Sequence, residues 1–144
     1  MHEEWIDAIE NSNKNIALIA PRGHFKTSIL SVAFPLWHIF KPHKSSQQIL
    51  IQSSTLQQSS EIMRHIKKAI EGLPILSDML LPANLHDTTW SQKTIITKGD
   101  HMISSITYGD TVKGFHPNLS ILDDVLRTET TNVEEAKKIF YDAV

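Results

Sequence analysis

"ALIAPRGHFKTSIL", residues 17–30, runs from an apolar segment through a Pro-Arg-Gly turn into Lys26-Thr27 and a helical pattern. A phosphate-binding loop reads G-x-x-x-x-G-K-[ST]: backbone N–H groups cradle phosphates and the lysine reaches the β- and γ-phosphates. Here Ala20 stands at the first glycine position and Phe25 at the second. The remaining parts fit the chemistry. The start of a helix offers free N–H groups and the positive end of its dipole. Lys26 adds a point charge and Thr27 a hydroxyl for Mg²⁺, and Gly23 permits a positive φ or a close backbone approach. Ala20 can replace a glycine if its φ is negative. Phe25 must turn its side chain away from the phosphates, or the loop must differ. An ordinary strand–turn–helix with an exposed lysine also fits this stretch taken alone.

Outward from the loop, the pattern alternates strands and helices. Glu3–Asn11 has helical spacing, with Trp5, Ile6 and Ile9 on one side. Asn15–Ala20 reads as a short buried strand. Lys26–Phe40 reads as a helix with Ile29, Val32, Ala33, Leu36 and Phe40 on one face, kinked at Pro35 and stopped by Pro42. Gln48–Ser53 is a second strand. Thr55–Glu71 is a second helix, with Thr55 or Ser54 as its N-cap and Gly72 as its stop. Thr94–Thr97 and Met102–Thr107 form two strands around a Lys98-Gly99-Asp100-His101 turn. Leu119–Leu122 is an apolar strand running into Asp123-Asp124, and the chain from Asn132 onward is helical. This alternation implies an α/β fold with a mainly parallel sheet covered on both faces. Ligands of such sheets bind at the carboxyl ends of strands. The Pro-Arg-Gly loop and the Asp-Asp pair both fall there.

The second motif bears on the first. Nucleoside-triphosphate hydrolases need one acid for the Mg²⁺ shell and a group to orient the attacking water. Asp123 suits the first role and Asp124 the second. A strand ending in Asp-Asp is also a common turn or helix cap, but the pair follows Lys26-Thr27 in the order a nucleotide site requires.

Bulk properties narrow the alternatives. The 144 residues suffice for one compact domain with a core. The hydrophobic fraction of 40% and charged fraction of 21% are those of a globular protein. The formal net charge of −2 provides no global attraction to nucleic acid, so any DNA contact needs a local patch. Cysteine is absent, which excludes disulfides, thiolate zinc sites and cysteine nucleophiles. No apolar run reaches the length of a membrane span, and the acidic start lacks a basic signal-peptide region. A cytoplasmic protein is the expectation. The eight histidines show no helical i, i+3 or i+4 pairing, which argues against a transition-metal site. His24, inside the loop, reads as a solvated residue. Trp5, Trp37 and Trp90 read as packing aromatics, and the Arg64, His65, Lys67, Lys68 run as a solvated helix face that could also touch DNA phosphates.

Four blocks together resemble the ATPase domain of the large terminase subunit of tailed phages, the DNA-packaging motor: "HEEWIDAIE", "LIAPRGHFKTS", "ILIQSSTLQQSSEIMRHIKKAIE" and "TVKGFHPNLSILDDV". The resemblance implies a P-loop NTPase fold of the RecA-like (ASCE) kind, a mainly parallel sheet flanked by helices. In that picture residues 1–144 form a single ATPase domain, incomplete at its C-terminus. Phe25 and Ala20 then look like variants of the family's loop.

The resemblance also implies roles. Loop residues Pro21, Arg22, Gly23, His24, Phe25, Lys26, Thr27 and Ser28 would hold ATP, with Lys26 on the β- and γ-phosphates. Thr27 and Asp123 would hold Mg²⁺. Arg22 matches the loop arginine that stabilises or senses the transferred phosphoryl group, and Asp124 stands where many members have a catalytic glutamate. Lys113 stands where an arginine often precedes Gly114, and lacks arginine's bidentate fork. Twenty residues follow Asp124, which leaves no room for the family's nuclease domain, so the chain reads as an ATPase portion with slow or no turnover alone. The implied partners are duplex DNA, a homo-oligomeric ring, the phage portal and the small terminase subunit, in the cytoplasm of a bacterial host and of phage or prophage origin. Two other readings stand beside it: a nucleotide-binding split or degraded module without turnover, and another helicase-like P-loop ATPase.

Overall fold

The computed structural model describes residues 2–11, 15–18, 23–41, 45–86, 88–110 and 116–125. They fall into two compact units, one ending at Phe25 and one beginning at Lys26. In the first, helix α1 spans His2–Asn11, with Glu3 and Glu4 in its first turn, where they complement the helix dipole. The His2 ring meets Trp5 edge-on at 5.1 Å, and Asn11 donates to the Asp7 carbonyl at 3.0 Å. The strand expected over Asn15–Ala20 does not form across residues 15–18, which carry no strand and are mostly exposed; residues 19 and 20 lie outside the described set. A short apolar run has no periodicity that separates a buried strand from an extended loop.

The second unit is built on a four-stranded sheet of order β2-β3-β1-β4. Its strands are β1 (Gln48–Ser53), β2 (Thr94–Ile96), β3 (Met102–Thr107) and β4 (Leu119–Asp123). β1 pairs in parallel with β3 on one side and β4 on the other. Only β2 is antiparallel, as the partner of β3 in the expected hairpin. The turn takes left-handed φ at Gly99 (+112°) and Asp100 (+60°), and Asp100 N–H donates to the Thr97 carbonyl at 3.0 Å.

Helix α3 (Leu56–Gly72) begins where the sequence indicates. The Thr55 hydroxyl accepts the Gln58 N–H, satisfying one of the donors that a helix start leaves open. One face of α3, through Ile62, Met63, Ile66 and Ile70, packs with Ile49, Ile51, Ile95, Ile103 and Ile121 of the sheet into a single core. The other face is solvated, with Arg64 paired to Glu61 at 2.6 Å. The hydrogen bond from Arg64, and after it the guanidinium charge, lower the Glu61 carboxyl from its ordinary value. Lys67 donates to the Trp90 carbonyl at 3.3 Å, and the Trp90 indole N–H donates to Glu71 at 3.0 Å. A further helix, α4 (Pro74–Leu80), has Pro74 in its first turn and delivers Leu80 to the core. The sequence pattern did not indicate it, because seven residues are too few to establish a period.

The helical run after the phosphate-loop motif differs most from expectation. It begins as a π-helical segment, Thr27–Ala33, and continues as helix α2, Phe34–Phe40. Phe34 N–H reaches the carbonyl of Ile29, five residues back. Pro35 sits in the first turn of α2. In an uninterrupted α-helix its ring would meet the Ser31 carbonyl, and the wider register lies immediately ahead of it. Lys41 turns extended, with ψ 145°, as the residue before a proline must. Leu36 and Ile39 enter the same core as α3 and α4. The described helices of this unit therefore serve one face of the sheet; a second helical layer is not among them. No helix among the described residues is long and apolar enough to cross a membrane. The helix expected from Asn132 onward lies outside the described residues.

Candidate functional site

The parallel register decides which side chains share a face. Ser53 pairs with Thr107 on one side and Asp123 on the other; two residues earlier, Ile51 pairs with Ser105 and Ile121. Alternate residues along a strand return to the same face. The helix-covered face is thus isoleucine-rich at the amino ends of the strands and polar at their carboxyl ends. Ser53 and Ser105 are 1% exposed there. Ser53 donates to the Thr55 carbonyl at 3.4 Å, and the Ser105 hydroxyl is buried with no hydrogen-bond partner among the described residues. The strand order also reverses at β1, since the chain builds β3 on one side and then crosses to build β4 on the other. Open α/β sheets bind ligands at such a reversal, outside the carboxyl ends of the strands.

Asp123 is the last residue of β4, and its carboxylate is fixed from the helical layer. The Ser31 hydroxyl, on the π-helical segment, donates to Asp123 Oδ2 at 2.9 Å. An ionised carboxylate only accepts, so the hydroxyl proton points at Asp123. Ser31 is fully buried while Asp123 is half-buried. This bond joins the helix that follows the Lys-Thr pair to the acidic end of a strand 92 residues later in the chain. Thr27 lies four residues before Ser31, a spacing that keeps two residues on one side of a helical segment. Thr27 and Ser28 are exposed, and Lys26 is half-buried in a helical conformation, φ −49° and ψ −56°. Asp124 has left the strand, exposed and with φ +50°. Aspartate tolerates that left-handed conformation better than most residues.

The loop ahead of Lys26 is described at Gly23, His24 and Phe25. Gly23 has φ +80° and Phe25 has φ +57°, so the phenylalanine at the second glycine position adopts a glycine-like backbone. The residue is 67% exposed. The His24 carbonyl lies 3.2 Å from His2 Nε2. Left-handed backbone costs a bulky residue roughly 1–2 kcal/mol, and an exposed residue returns little by packing. Phe25→Gly is accordingly expected to stabilise the protein by up to about 1 kcal/mol, and Phe25→Val to destabilise it. Denaturant midpoints of the two variants check this; a stabilised valine variant would contradict the assigned backbone.

Of the residues the sequence indicates, Lys26, Thr27 and Ser28 open the helical run, and Asp123 is tied to that same run. Pro21 and Arg22 lie outside the described residues, as do Lys113 and Gly114. Ser31, Ser53 and Thr107 were not anticipated. Ser31 had one legible signal, a small polar residue inside the apolar stretch Ile29–Leu36. The Asp123 carboxylate and the Thr27 hydroxyl are both oxygen donors, of the hard kind that suits Mg²⁺.

No protein-family model matches the sequence, and no curated protein does. Among solved structures, the chain is similar to the large terminase of bacteriophage HK97, with a TM-score of 0.64 and 20% identity. The match covers 86% of this chain and 25% of the terminase, so the chain spans about a quarter of that protein's length. At this identity the likeness is one of fold: a mixed α/β sheet flanked by helices, as in that terminase.

Proposed function

We propose that the chain is the ATPase part of a phage DNA-packaging motor of the large-terminase kind, binding and hydrolysing Mg-ATP. The observation that carries this reading is the Ser31–Asp123 hydrogen bond. It couples the helix behind a Lys-Thr phosphate motif to an acidic strand end at the reversal of a parallel sheet. The terminase-like fold supports it.

In this reading residues 21–28 wrap the phosphates. Lys26 neutralises the β- and γ-phosphates, and Thr27 and Asp123 hold Mg²⁺. Bound there, the cation neutralises charge developing on the phosphate oxygens. Asp124 orients the attacking water. Arg22 stabilises charge on the transferred group, a contribution that for comparable arginines is worth about 10³–10⁵ in rate. Duplex DNA, neighbouring subunits of a ring, the portal and the small terminase subunit are the proposed partners, in the cytoplasm of an infected or lysogenic bacterium.

The test is a calorimetric titration with Mg-ATP followed by steady-state phosphate release, with and without duplex DNA at low salt. The expected result is Mg-ATP binding with slow release by the chain alone and little gain from DNA, since the net charge of −2 offers a duplex no broad attraction. No binding of Mg-ATP would overturn the reading. Binding with no release at all would favour a nucleotide-binding module without turnover.

A further inference from the structure

We infer that Ser31 is a positioning residue for the divalent cation, acting through Asp123; the inference rests on the nucleotide-binding reading above. The sequence motif assigns cation binding to Thr27, immediately after the lysine, and assigns nothing to the residue four positions later. Yet it is Ser31 whose hydroxyl meets the carboxylate, at 2.9 Å on Oδ2, and Ser31 is among the most buried residues in the chain, with no exposed surface. A buried hydroxyl with an acceptor-only partner has one low-energy orientation, and it locks one carboxylate oxygen in place. The other oxygen, Oδ1, has no partner among the described residues and is left for a cation or its water shell.

The register adds a second constraint. Asp123 pairs with Ser53 of β1, so the strand sets the height of the carboxylate and Ser31 sets its rotation. Ser31 is the residue of the segment Thr27–Ala33 that bonds to β4, and Thr27 stands four residues before it, a spacing that returns to the same side of a helix. Groups of this kind, hydrogen-bonded to a ligating carboxylate, orient the ligand and raise its affinity for metal.

The test compares Ser31→Ala and Ser31→Cys with the unaltered protein. Alanine is the better helix former, and cysteine keeps the volume with only a weak S–H donor. Three quantities are read: affinity for ATP in EDTA, the Mg²⁺ concentration that half-saturates tight ATP binding, and the melting temperature without ligand. Ser31→Ala is expected to raise the half-saturating Mg²⁺ concentration about tenfold or more, leaving affinity in EDTA and melting temperature nearly unchanged. Ser31→Cys should fall between. Adding Ser31→Ala to Asp123→Asn should change the Mg²⁺ response no further, because the group it positions is already disabled.

A parallel fall in melting temperature and both affinities would reduce Ser31 to a structural role and overturn the inference. So would an unchanged Mg²⁺ response in a folded Ser31→Ala protein that still binds ATP. Should the alanine variant fail to fold, the cysteine variant decides by the same two criteria. If the unaltered protein binds no Mg-ATP, the nucleotide reading itself is at fault and the inference goes with it.

Discussion

Replacing Lys26 with alanine is expected to remove most of the affinity for Mg-ATP and to leave the fold intact. Lys26 stands at the start of the continuous helical run Thr27–Phe40, where the positive end of the helix dipole favours an anion. An ammonium there makes charge-assisted hydrogen bonds to phosphate oxygens, each worth about 1.5–3 kcal/mol. Losing one such bond lowers affinity about ten- to hundredfold, and losing contacts to both the β- and γ-phosphates lowers it further. The fold should survive because Lys26 contributes nothing to the isoleucine core, and alanine suits a helix start at least as well as lysine. Calorimetric titration of both proteins measures the effect, with thermal melts as the control. Equal affinities in two folded proteins would eliminate the phosphate-loop assignment, and with it the reason to regard Thr27 as a cation ligand.

Much of the scaffold around that lysine was legible in the sequence. β1 was read at its observed limits, and so was β3; α3 was read to within a residue at each end. In each case alternating or helical spacing is bounded by residues that stop it: Thr55 caps α3, and Gly99 and Asp100 turn the hairpin. These signals are local, and local chemistry is what a sequence displays. The π register of Thr27–Ala33 was not legible, because an apolar face at three- and four-residue spacing reads as an ordinary helix. Pro35 follows it at once, where an α-helical register would set its ring against the Ser31 carbonyl. Asp123 was legible as the acidic end of an apolar run, but Ser31 as its partner was not. That contact depends on β4 lying beside β1 across the strand-order reversal, and no residue near Ser31 announces it. Phe25 looked like a fault in the motif; it takes a positive φ, a conformation that favours glycine, and is exposed.

The two neighbouring acids, Asp123 and Asp124, should separate cleanly when each is changed to asparagine. Asp123 ends β4 on the helix-covered face, bonded to Ser31 and in register with Ser53. Asparagine keeps the shape, and its carbonyl oxygen can still accept from Ser31, so the substitution removes the charge and little else. Asp123→Asn is therefore expected to make ATP binding insensitive to Mg²⁺, the affinity with Mg²⁺ falling to that measured in EDTA. Asp124 lies one residue on, exposed and at φ +50°. Asparagine accepts this left-handed conformation as readily as aspartate, so the turn is preserved there too. A carboxylate that orients or deprotonates water contributes about 10²–10⁴ to rate and little to ground-state binding. Asp124→Asn should accordingly bind Mg-ATP as the unaltered protein does and lose at least about a hundredfold in phosphate release. The backbone supports this division: the strand and Ser31 hold the first acid still, whereas the second sits where the chain turns away from the sheet. Titrations in Mg²⁺ and in EDTA, set beside single-turnover phosphate release, measure both effects on the same samples. If Asp124→Asn weakens Mg-ATP binding as much as Asp123→Asn, the two acids share the cation and the water must be oriented by another group.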